Sequence, residues 1–301
     1  MGYSARYHAA SLAAIFLALA IGILIGSEFG GDVLSNTKQD LEQSLTSDLD
    51  NARSDIRDLN QDLEWSDNFG NRAYPPLTDS RLQGERIGLV SFGELPSGIT
   101  KSVETALQPT GANLVAVGAV RQPPSVERPG RLLRGDGKPA KGSRDELLEK
   151  YGFTVGRQMV NGGRVLRATG SDLMSQSSGR FGNLDGLVFF RADLSDLEPE
   201  EKAESELFDQ AIIKGAESTR AKLVGVEQVS TDPSSIDFFS DNQVSSVDNI
   251  EQPAGKVSLV FALGGAEGSF GVKEGADRVL PELLIPVRPG GPGQQSAGKQ
   301  G

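Results

Sequence analysis

The feature that most constrains this chain is an uncharged apolar stretch near its beginning. Residues 9–27, AASLAAIFLALAIGILIGS, contain no Asp, Glu, Lys or Arg across nineteen positions. A helix of that length rises by roughly 28 Å, which is close to the ~30 Å hydrocarbon core of a bilayer. The stretch therefore predicts a transmembrane signal-anchor helix.

Charges on either side of this stretch predict its orientation. Arg6 precedes it, and Glu28 and Asp32 follow it. Because basic residues stay on the cytoplasmic side, we expect residues 1–8 to be cytoplasmic and the bulk of the chain to be extracytoplasmic, in the cell envelope. A cleaved signal peptide is the alternative, with an A-x-A site at residues 18–20, although apolar residues continue beyond that site.

Small residues recur every fourth position along one face of the predicted membrane helix. The small face consists of Ala14, Ala18, Gly22 and Gly26. The last two form a GxxxG pair, a pattern that lets two helix backbones approach closely in lipid. We predict that this face pairs two helices; the open alternative is that small residues are simply common in membrane helices.

An acidic stalk, placed at residues 28–69, follows the apolar stretch. Residues 33–66 contain neither Pro nor Gly, and they are predicted to form one long helix. Residues 28–67 hold eleven acids and three bases, so 3 − 11 gives −8 of the chain's net charge of −11. We expect Gly70 and the pair Pro75-Pro76 to end the helix.

Apolar residues of the stalk fall on one narrow seam. The step from Leu41 to Ala52 is eleven residues, a stutter, and alternating steps of four and three residues follow it. A narrow seam is typical of a coiled coil, whereas a helix packed on its own domain, the alternative, has a broader apolar face. We predict a parallel homodimer through this seam. Its members are Leu41, Leu45, Leu49, Ala52, Ile56, Leu59 and Leu63.

Beyond the two prolines, short apolar runs alternate with helical patterns. The predicted strands are residues 86–92, 112–120, 184–190, 221–227 and 256–263. The predicted helices are residues 100–107, 143–151 and 200–216. The second of these helices begins with a capping box formed by Ser143 and Glu146. Such alternation favours right-handed crossovers, so the predicted fold class is α/β, a Rossmann-like three-layer domain with a mostly parallel sheet over residues 84–272.

Composition excludes several classes of function. The chain has no Cys and a single His, which rules out disulfides, zinc fingers, iron–sulfur clusters, cysteine nucleophiles and multi-histidine metal sites. The one histidine, His8, belongs to the predicted cytoplasmic end and cannot serve a catalytic triad in the exported domain. The acidic balance argues against nucleic acid as a partner. We therefore predict no enzyme, no catalytic residue and no cofactor.

Two patterns in the domain resemble sites but have simpler interpretations. The Gly-rich residues 264–271 follow a predicted strand, but they lack GxGxxG spacing and are better explained as a tight turn leaving that strand. The acids of the predicted helix 200–216 spread over several faces, as in a solvated surface. They are Glu200, Glu201, Glu204 and Glu206.

Two further carboxylates are the best placed for a site at the carboxyl ends of the strands. Asp193 and Asp196 follow the third predicted strand closely. Ligand sites in parallel α/β sheets form at that edge. An N-cap of the next helix explains Asp196 equally well.

Two segments are predicted to lie outside the sheet. Residues 121–144 hold seven bases and two acids among Pro and Gly, without interleaved aromatic residues. A solvated loop is the first interpretation, and a docking loop for anionic wall polymers or an acidic partner is the alternative. Residues 288–301 have the composition of a disordered tail.

Two stretches resemble the actinobacterial copper transporter family. They are YHAASLAAIFLALAIGILIGS at residues 7–27 and SVDNIEQPAGKVSLVFALGGAEGSFG at residues 246–271. The order of anchor, coiled coil, α/β domain and terminal glycine motif is similar as well. The resemblance implies an envelope membrane protein of copper efflux or homeostasis, described in that family as an outer-membrane channel. Resemblance to other members of the same family implies a role in cell separation instead. In that role the chain would have as its partner a second membrane protein that restrains a peptidoglycan hydrolase.

The side chains present predict that any copper role is indirect. Copper sites use thiolate, thioether or imidazole ligands. The predicted exported part offers only Met159 and Met174, whose side chains are predicted to fill gaps in the core. We therefore predict action through a partner or an oligomer, with a non-enzymatic coiled-coil scaffold in cell separation as the alternative.

Overall fold

The computed structural model describes residues 5–125 and 142–282, and of residues 5–7, 9 and 27–40 it describes only the backbone. The chain divides into two compact units between Ser66 and Asp67. None of the helices in the described part combines the length and the apolar character needed to cross a membrane. The predicted membrane-crossing helix therefore stays a prediction.

Several predicted segments lie wholly or partly outside the described residues. They are the first half of the predicted cytoplasmic end at residues 1–4, most of the basic loop at residues 126–141, and the predicted tail at residues 288–301.

The first helix is longer than the sequence predicts. Helix α1 spans Ala5–Thr78, so the expectation that Gly70 and the two prolines would end it is wrong. The prolines occupy the last turn, where their missing N–H groups deprive only two carbonyls of a partner. The hydroxyl of Thr78, a fully buried residue, donates to the carbonyl of Tyr74 at 3.0 Å. This bond closes the end of the helix.

Contacts within the second unit hold the end of α1 in place. Helix α7, which contacts the end of α1, spans Pro253–Leu263. A Cβ built on Gly70 would lie 2.8 Å from the Cβ of Pro253, so the glycine permits a close approach. The hydroxyl of Tyr74 donates to the carbonyl oxygens of Ala106 and, at 3.0 Å, Thr105. Burial raises the pKa of this phenol to about 12.

The remaining elements form an α/β unit around one sheet. The strands are β1 Arg86–Phe92, β2 Asn113–Val120, β3 Met174–Gly179, β4 Gly186–Arg191, β5 Lys222–Val226, β6 Ser245–Val247 and β7 Ser269–Phe270. The other helices are α2 Ser97–Leu107, α3 Arg144–Asn161, α4 Arg164–Leu173, α5 Pro199–Glu217 and α6 Ile236–Asp241. The strand order is β3-β2-β1-β4-β5-β6-β7, parallel except for the antiparallel edge strand β3. The predicted α/β class with a mostly parallel sheet is confirmed.

Alternate side chains of each central strand enter different apolar clusters. In β4, Leu187 and Phe189 belong to the cluster with α3, α4 and α5, whereas Val188 and Phe190 belong to the cluster with α2 and α7. All four are buried, which is typical of a parallel strand covered on both faces. The sheet therefore lies between two helical layers.

One predicted strand is a helix. Residues 256–263 belong to α7, whose first residue is Pro253. Every residue from Val257 to Leu263 is buried, so the helix has no exposed polar face here and the run carries no helical period. The Gly-rich residues 264–271 consequently lead from a helix into strand β7, and the prediction of a turn leaving a strand is wrong in that respect.

The structure also adds elements that the sequence did not predict. Strand β3 is polar and exposed after Met174, so it lacks the apolar signal of a buried strand. Helix α3 continues ten residues past the predicted end at Tyr151, and α4 follows it. The predicted start of α3 is confirmed, because the Ser143 hydroxyl accepts from the backbone N–H of Glu146 at 3.2 Å.

Candidate functional site at the carboxyl edge of the sheet

From β1 the chain adds β2 and β3 on one side of the sheet, and β4 to β7 follow on the other side. In parallel α/β sheets a ligand is expected at such a switch point, here at the carboxyl ends of β1 and β4. The loops that follow them touch. The backbone N–H of Ala192 donates to the carbonyl of Phe92 at 2.9 Å. Gly93 has φ +95°, and a Cβ on it would lie 2.9 Å from the Cβ of Ala192. A glycine is therefore required where the two loops come into contact.

Arg191, the last residue of β4, is the centre of a charged cluster at this edge. Its Nη2 donates to Oε1 of Glu206 at 3.0 Å, and its guanidinium lies 4.3 Å from the centroid of the Phe238 ring. Its Nε lies 4.0 Å from Oδ2 of Asp209. Only 15% of the Arg191 side chain is exposed, so a cation is fixed beneath the surface by two carboxylates and an aromatic face.

Asp209, on α5, is the fully buried member of the cluster. Its Oδ1 accepts a hydrogen bond from Nε2 of Gln122 at 2.6 Å. Burial raises the pKa of Asp209 well above its ordinary range, while Arg191 and the Gln122 hydrogen bond act in the opposite direction and Glu206 raises it further. This carboxyl group can therefore take up and release a proton beside a fixed cation.

Three polar atoms of the cluster have no hydrogen-bond partner among the described residues. They are Asp209 Oδ2, Gln122 Oε1 and Arg191 Nε. Buried polar groups usually find partners, so these three atoms are exceptions, and Asp209 Oδ2 can take up a proton without displacing an existing hydrogen bond.

Sequence reasoning missed this cluster because its members are far apart in the chain. Gln122, Arg191 and Asp209 come from a loop, a strand end and a helix. The local signals are weak: Arg191 ends an apolar strand, and Asp209 lies beside Phe208 on the buried face of α5. Only the parallel sheet brings these positions to one edge.

The carboxylates that the sequence favoured belong to a turn. Asp193 accepts from the backbone N–H of Ser195 at 2.8 Å and from its hydroxyl at 2.6 Å. These bonds lower the pKa of Asp193. The N-cap of α5 is Glu198, in a capping box with Glu201, so the N-cap interpretation of Asp196 is wrong.

The glutamates of α5 have separate roles. Glu201 completes the capping box, Glu204 pairs with Arg144, whose Nη2 lies 2.8 Å from Oε2, and Glu206 pairs with Arg191. Among the residues that the structure describes, no three His, Cys, Asp or Glu side chains are grouped so as to hold a metal ion.

A second polar cluster holds the end of the family-like stretch at residues 246–271 in place. Asp248, which follows β6, accepts backbone hydrogen bonds from Val272 at 2.9 Å and Lys273 at 2.6 Å. A Cβ on Gly271 would overlap the Asp248 carboxylate, and this glycine has φ +149°. The motif therefore requires glycine at this position, and the reason is structural.

Lys273 joins this cluster to the end of β5. Its ammonium lies 2.7 Å from Oε1 of Glu227 and donates to the carbonyl of Thr231 at 2.6 Å. Glu227 also accepts from the Ser234 hydroxyl and the Ser235 backbone N–H. The glutamate is thus buried with a full set of partners, and it stabilises the loops at this end of the sheet.

The thioether and imidazole side chains lie either in the core of the α/β unit or in the other unit. Met159 and Met174 are both buried and belong to the same apolar cluster as α3, α4 and α5. His8 is exposed on α1, in the other unit. The thioethers therefore pack against apolar side chains and do not line a surface site.

The two faces predicted for pairing are uncovered in the described chain. Ala14 and Ala18 are exposed, and a Cβ on Gly22 or Gly26 would meet open space. All seven residues of the stalk seam, Leu41, Leu45, Leu49, Ala52, Ile56, Leu59 and Leu63, are exposed as well. Pairing through either face stays a prediction.

Comparison with known proteins identifies the family of the chain. A family model described as "Copper transport outer membrane protein, MctB" matches residues 3–123 and 170–281, more than two thirds of the chain. A search of curated proteins found no match to this chain. The match includes α1, the seam and the motif around Asp248 and Gly271. The chain therefore belongs to the MctB family of copper transport outer membrane proteins.

Proposed function

We propose that this protein supports copper homeostasis in the cell envelope as a non-enzymatic scaffold, without binding copper through soft ligands of its own. The family membership supports the link to copper. The observation that carries the indirect role is the burial of Met159 and Met174 in one apolar cluster, in a chain without Cys. Copper would then be handled by a partner or an oligomer that supplies the ligands.

The proposal includes a single-pass location, with residues 9–27 in lipid, the N-terminus cytoplasmic and the α/β unit outside. The absence of charge over nineteen residues supports it. The large apolar side chains of this stretch are more than half exposed, and such surface is unfavourable in water. They are Leu12, Ile15, Phe16, Leu17, Leu19, Ile21, Ile23, Leu24 and Ile25.

Alkaline carbonate extraction of cell envelopes tests the location. The chain should stay with the membranes, and Ile15→Asp with Ile23→Asp should release it, because two buried carboxylates in one span cost several kcal/mol. Ser47→Asp with Gln61→Asp adds the same charge to the stalk and should leave the chain membrane-bound. Release of the unmodified chain would contradict the membrane location.

Cell-associated copper tests the function. A strain that lacks the gene should hold excess copper under copper challenge, and the intact gene should restore the parental level. A chain carrying His8→Asn, Met159→Leu and Met174→Leu should restore it equally, because Met1 is then the one Met, Cys or His left in the sequence. Leucine is close to methionine in volume, so the core should tolerate the exchange.

Two outcomes would contradict the proposal. Equal copper in the deletion strain and its parent would remove the copper role, and the alternative, a scaffold in cell separation, would then be tested by septum morphology. If the intact chain restores the parental copper level and the His8→Asn, Met159→Leu, Met174→Leu chain does not, at equal protein level, copper is ligated directly.

A further inference from the structure

The stalk presents an apolar stripe that the described chain leaves uncovered. Between Leu45 and Leu63 the large apolar seam residues are 51–62% exposed. Burying such side chains is favourable by about 25 cal/mol per Å² of apolar surface. A single helix cannot cover its own stripe, so this segment has a driving force to associate.

The spacing of the stripe assigns heptad positions. Leu49, Ile56 and Leu63 occupy positions a, and Leu45, Ala52 and Leu59 occupy positions d. Regular steps of three and four residues continue over these positions. Residues at positions e and g flank such a seam and face the partner helix.

The flanking charges distinguish the two possible orientations. Positions g are all aspartate: Asp48, Asp55 and Asp62. In an antiparallel pair, positions g face positions g, which would set aspartate against aspartate. In a parallel pair in register, each position g faces position e of the next heptad on the other helix, which sets Asp48 against the partner's Arg53.

The charge pattern also indicates where pairing ends. One heptad after Asp48, Asp55 would face the partner's Asn60, which is neutral. The next pair would set Asp62 against the partner's Asp67, two carboxylates. The first of the three flanking pairs is thus attractive, the second neutral and the third repulsive, which places the end of pairing near Leu63.

We infer that the stalk of this protein pairs with the stalk of a second copy, parallel and in register, through positions 45–63, with Asp48 of each chain paired to the partner's Arg53. In the single chain, Arg53 lies 3.5 Å from Asp50 on the same helix, a weak exposed pair. The guanidinium can exchange that contact for the partner's carboxylate. The inference rests on the scaffold role proposed above and is independent of copper.

Cysteine cross-linking of the full-length protein in detergent tests the pairing, since the chain has no cysteine of its own. Ala52→Cys and Leu59→Cys each place a thiol at a position d, where facing residues lie close enough for a disulfide. Both variants should form covalent dimers on mild oxidation. Gln61→Cys, at the outward position f, should give at least tenfold less dimer at the same concentration.

The two core positions together determine the orientation. Parallel helices in register bring residue 52 and residue 59 each opposite its own copy, whereas antiparallel helices can do so for only one of them. Cross-linking at both positions is therefore expected. Cross-linking at one position alone would overturn the parallel arrangement, and cross-linking at neither would overturn self-pairing.

Charge exchange tests the specific ion pair. Asp48→Arg or Arg53→Asp alone should raise the dimer dissociation constant about three- to tenfold, because each creates two repulsive contacts per dimer. The chain with both changes should recover most of the affinity. No difference among the three would overturn the Asp48–Arg53 pairing. Copper accumulation is measured separately, so either proposal can fail without the other.

Discussion

Oδ2 of Asp209 lies 4.0 Å from Nε of Arg191, and both atoms are buried without a hydrogen-bond partner among the described residues. The carboxylate and the guanidinium come from α5 and the end of β4. Their attraction is opposed by the cost of removing the Asp209 charge from water. The result is a carboxyl group whose proton affinity depends on folding.

Replacement of Asp209 should change how stability depends on pH. Because folding raises the pKa of Asp209, the folded state binds the proton more tightly than the unfolded state. This contribution is complete below the unfolded pKa of about 4 and is lost as the pH rises through the folded value. In Asp209→Asn that loss disappears, so between pH 4 and pH 8 the stability of the variant should rise relative to that of the unmodified protein.

Thermal unfolding of the two proteins across that pH range gives the measurement. Asp79→Asn, at an exposed position, serves as the control and should show the pH dependence of the unmodified protein. If stability depends on pH in the same way for Asp209→Asn and the unmodified protein, the pKa of Asp209 does not differ between the folded and unfolded states.

A methyl group at Gly156 should separate two helices. A Cβ there would overlap the carbonyl oxygen of Ile212 and lie 2.8 Å from its carbonyl carbon, so α3 and α5 could not keep their spacing. We expect Gly156→Ala to lower the free energy of unfolding by about 2–4 kcal/mol. Chemical denaturation measures the loss.

The matched control for Gly156 is another helical glycine. A Cβ on Gly170, in α4, meets nothing within 4 Å. Gly170→Ala should be neutral or stabilising by up to about 1 kcal/mol, because alanine has the higher helix propensity. Equal effects at both positions would contradict the close-packing explanation.

Loss of the Lys273 ammonium should leave a buried carboxylate without its cation. Glu227 is only 2% exposed, and Lys273 is the cation that pairs with it. Lys273→Met should therefore destabilise the protein by about 3 kcal/mol. Adding Glu227→Gln should recover part of that loss, because the uncompensated charge is then gone.

Urea denaturation of the single and double variants separates the charge effect from the loss of packing. Lys101→Met, at an exposed lysine on α2, should change stability by no more than about 0.5 kcal/mol. A double variant less stable than Lys273→Met alone would show that Glu227 does not depend on the lysine charge.

Acidic substitutions on the seam should abolish association. Aspartate at Leu45, Ala52, Ile56 and Leu59 places four charges on each face that pairing would bury. We expect the mass measured by light scattering in detergent to fall from dimer to monomer. An unchanged mass would contradict pairing through the stalk.

The control for the seam carries the same added charge on the outer faces of the helix. Aspartate at Ser47, Asn51, Ser54 and Gln61 adds four charges at positions c and f. This variant should remain dimeric, because these positions do not face the partner. Dissociation of both variants would attribute the effect to net charge and not to the seam.

Local sequence pattern misassigns two elements for opposite reasons. Residues 256–263 were predicted as a strand because a short run that is apolar all round has neither a helical nor a strand period. Pro253, at the first position of α7, was the available signal for a helix. Strand β3 is polar and exposed after Met174, so it lacks the apolar run by which a strand is recognised in a sequence.

The sequence by itself determined the class of the domain, its central strands and the start of α3. Continuous apolar runs such as Arg86–Phe92 specify buried parallel strands, and Ser143 caps its helix through a neighbour three residues away; both depend on local pattern alone. Tertiary structure decided the Gln122–Arg191–Asp209 cluster and the glycine at position 271. Their contacts join residues between 18 positions (Arg191 and Asp209) and 87 positions (Gln122 and Asp209) apart in the chain. Only the order of the strands brings such residues to one edge.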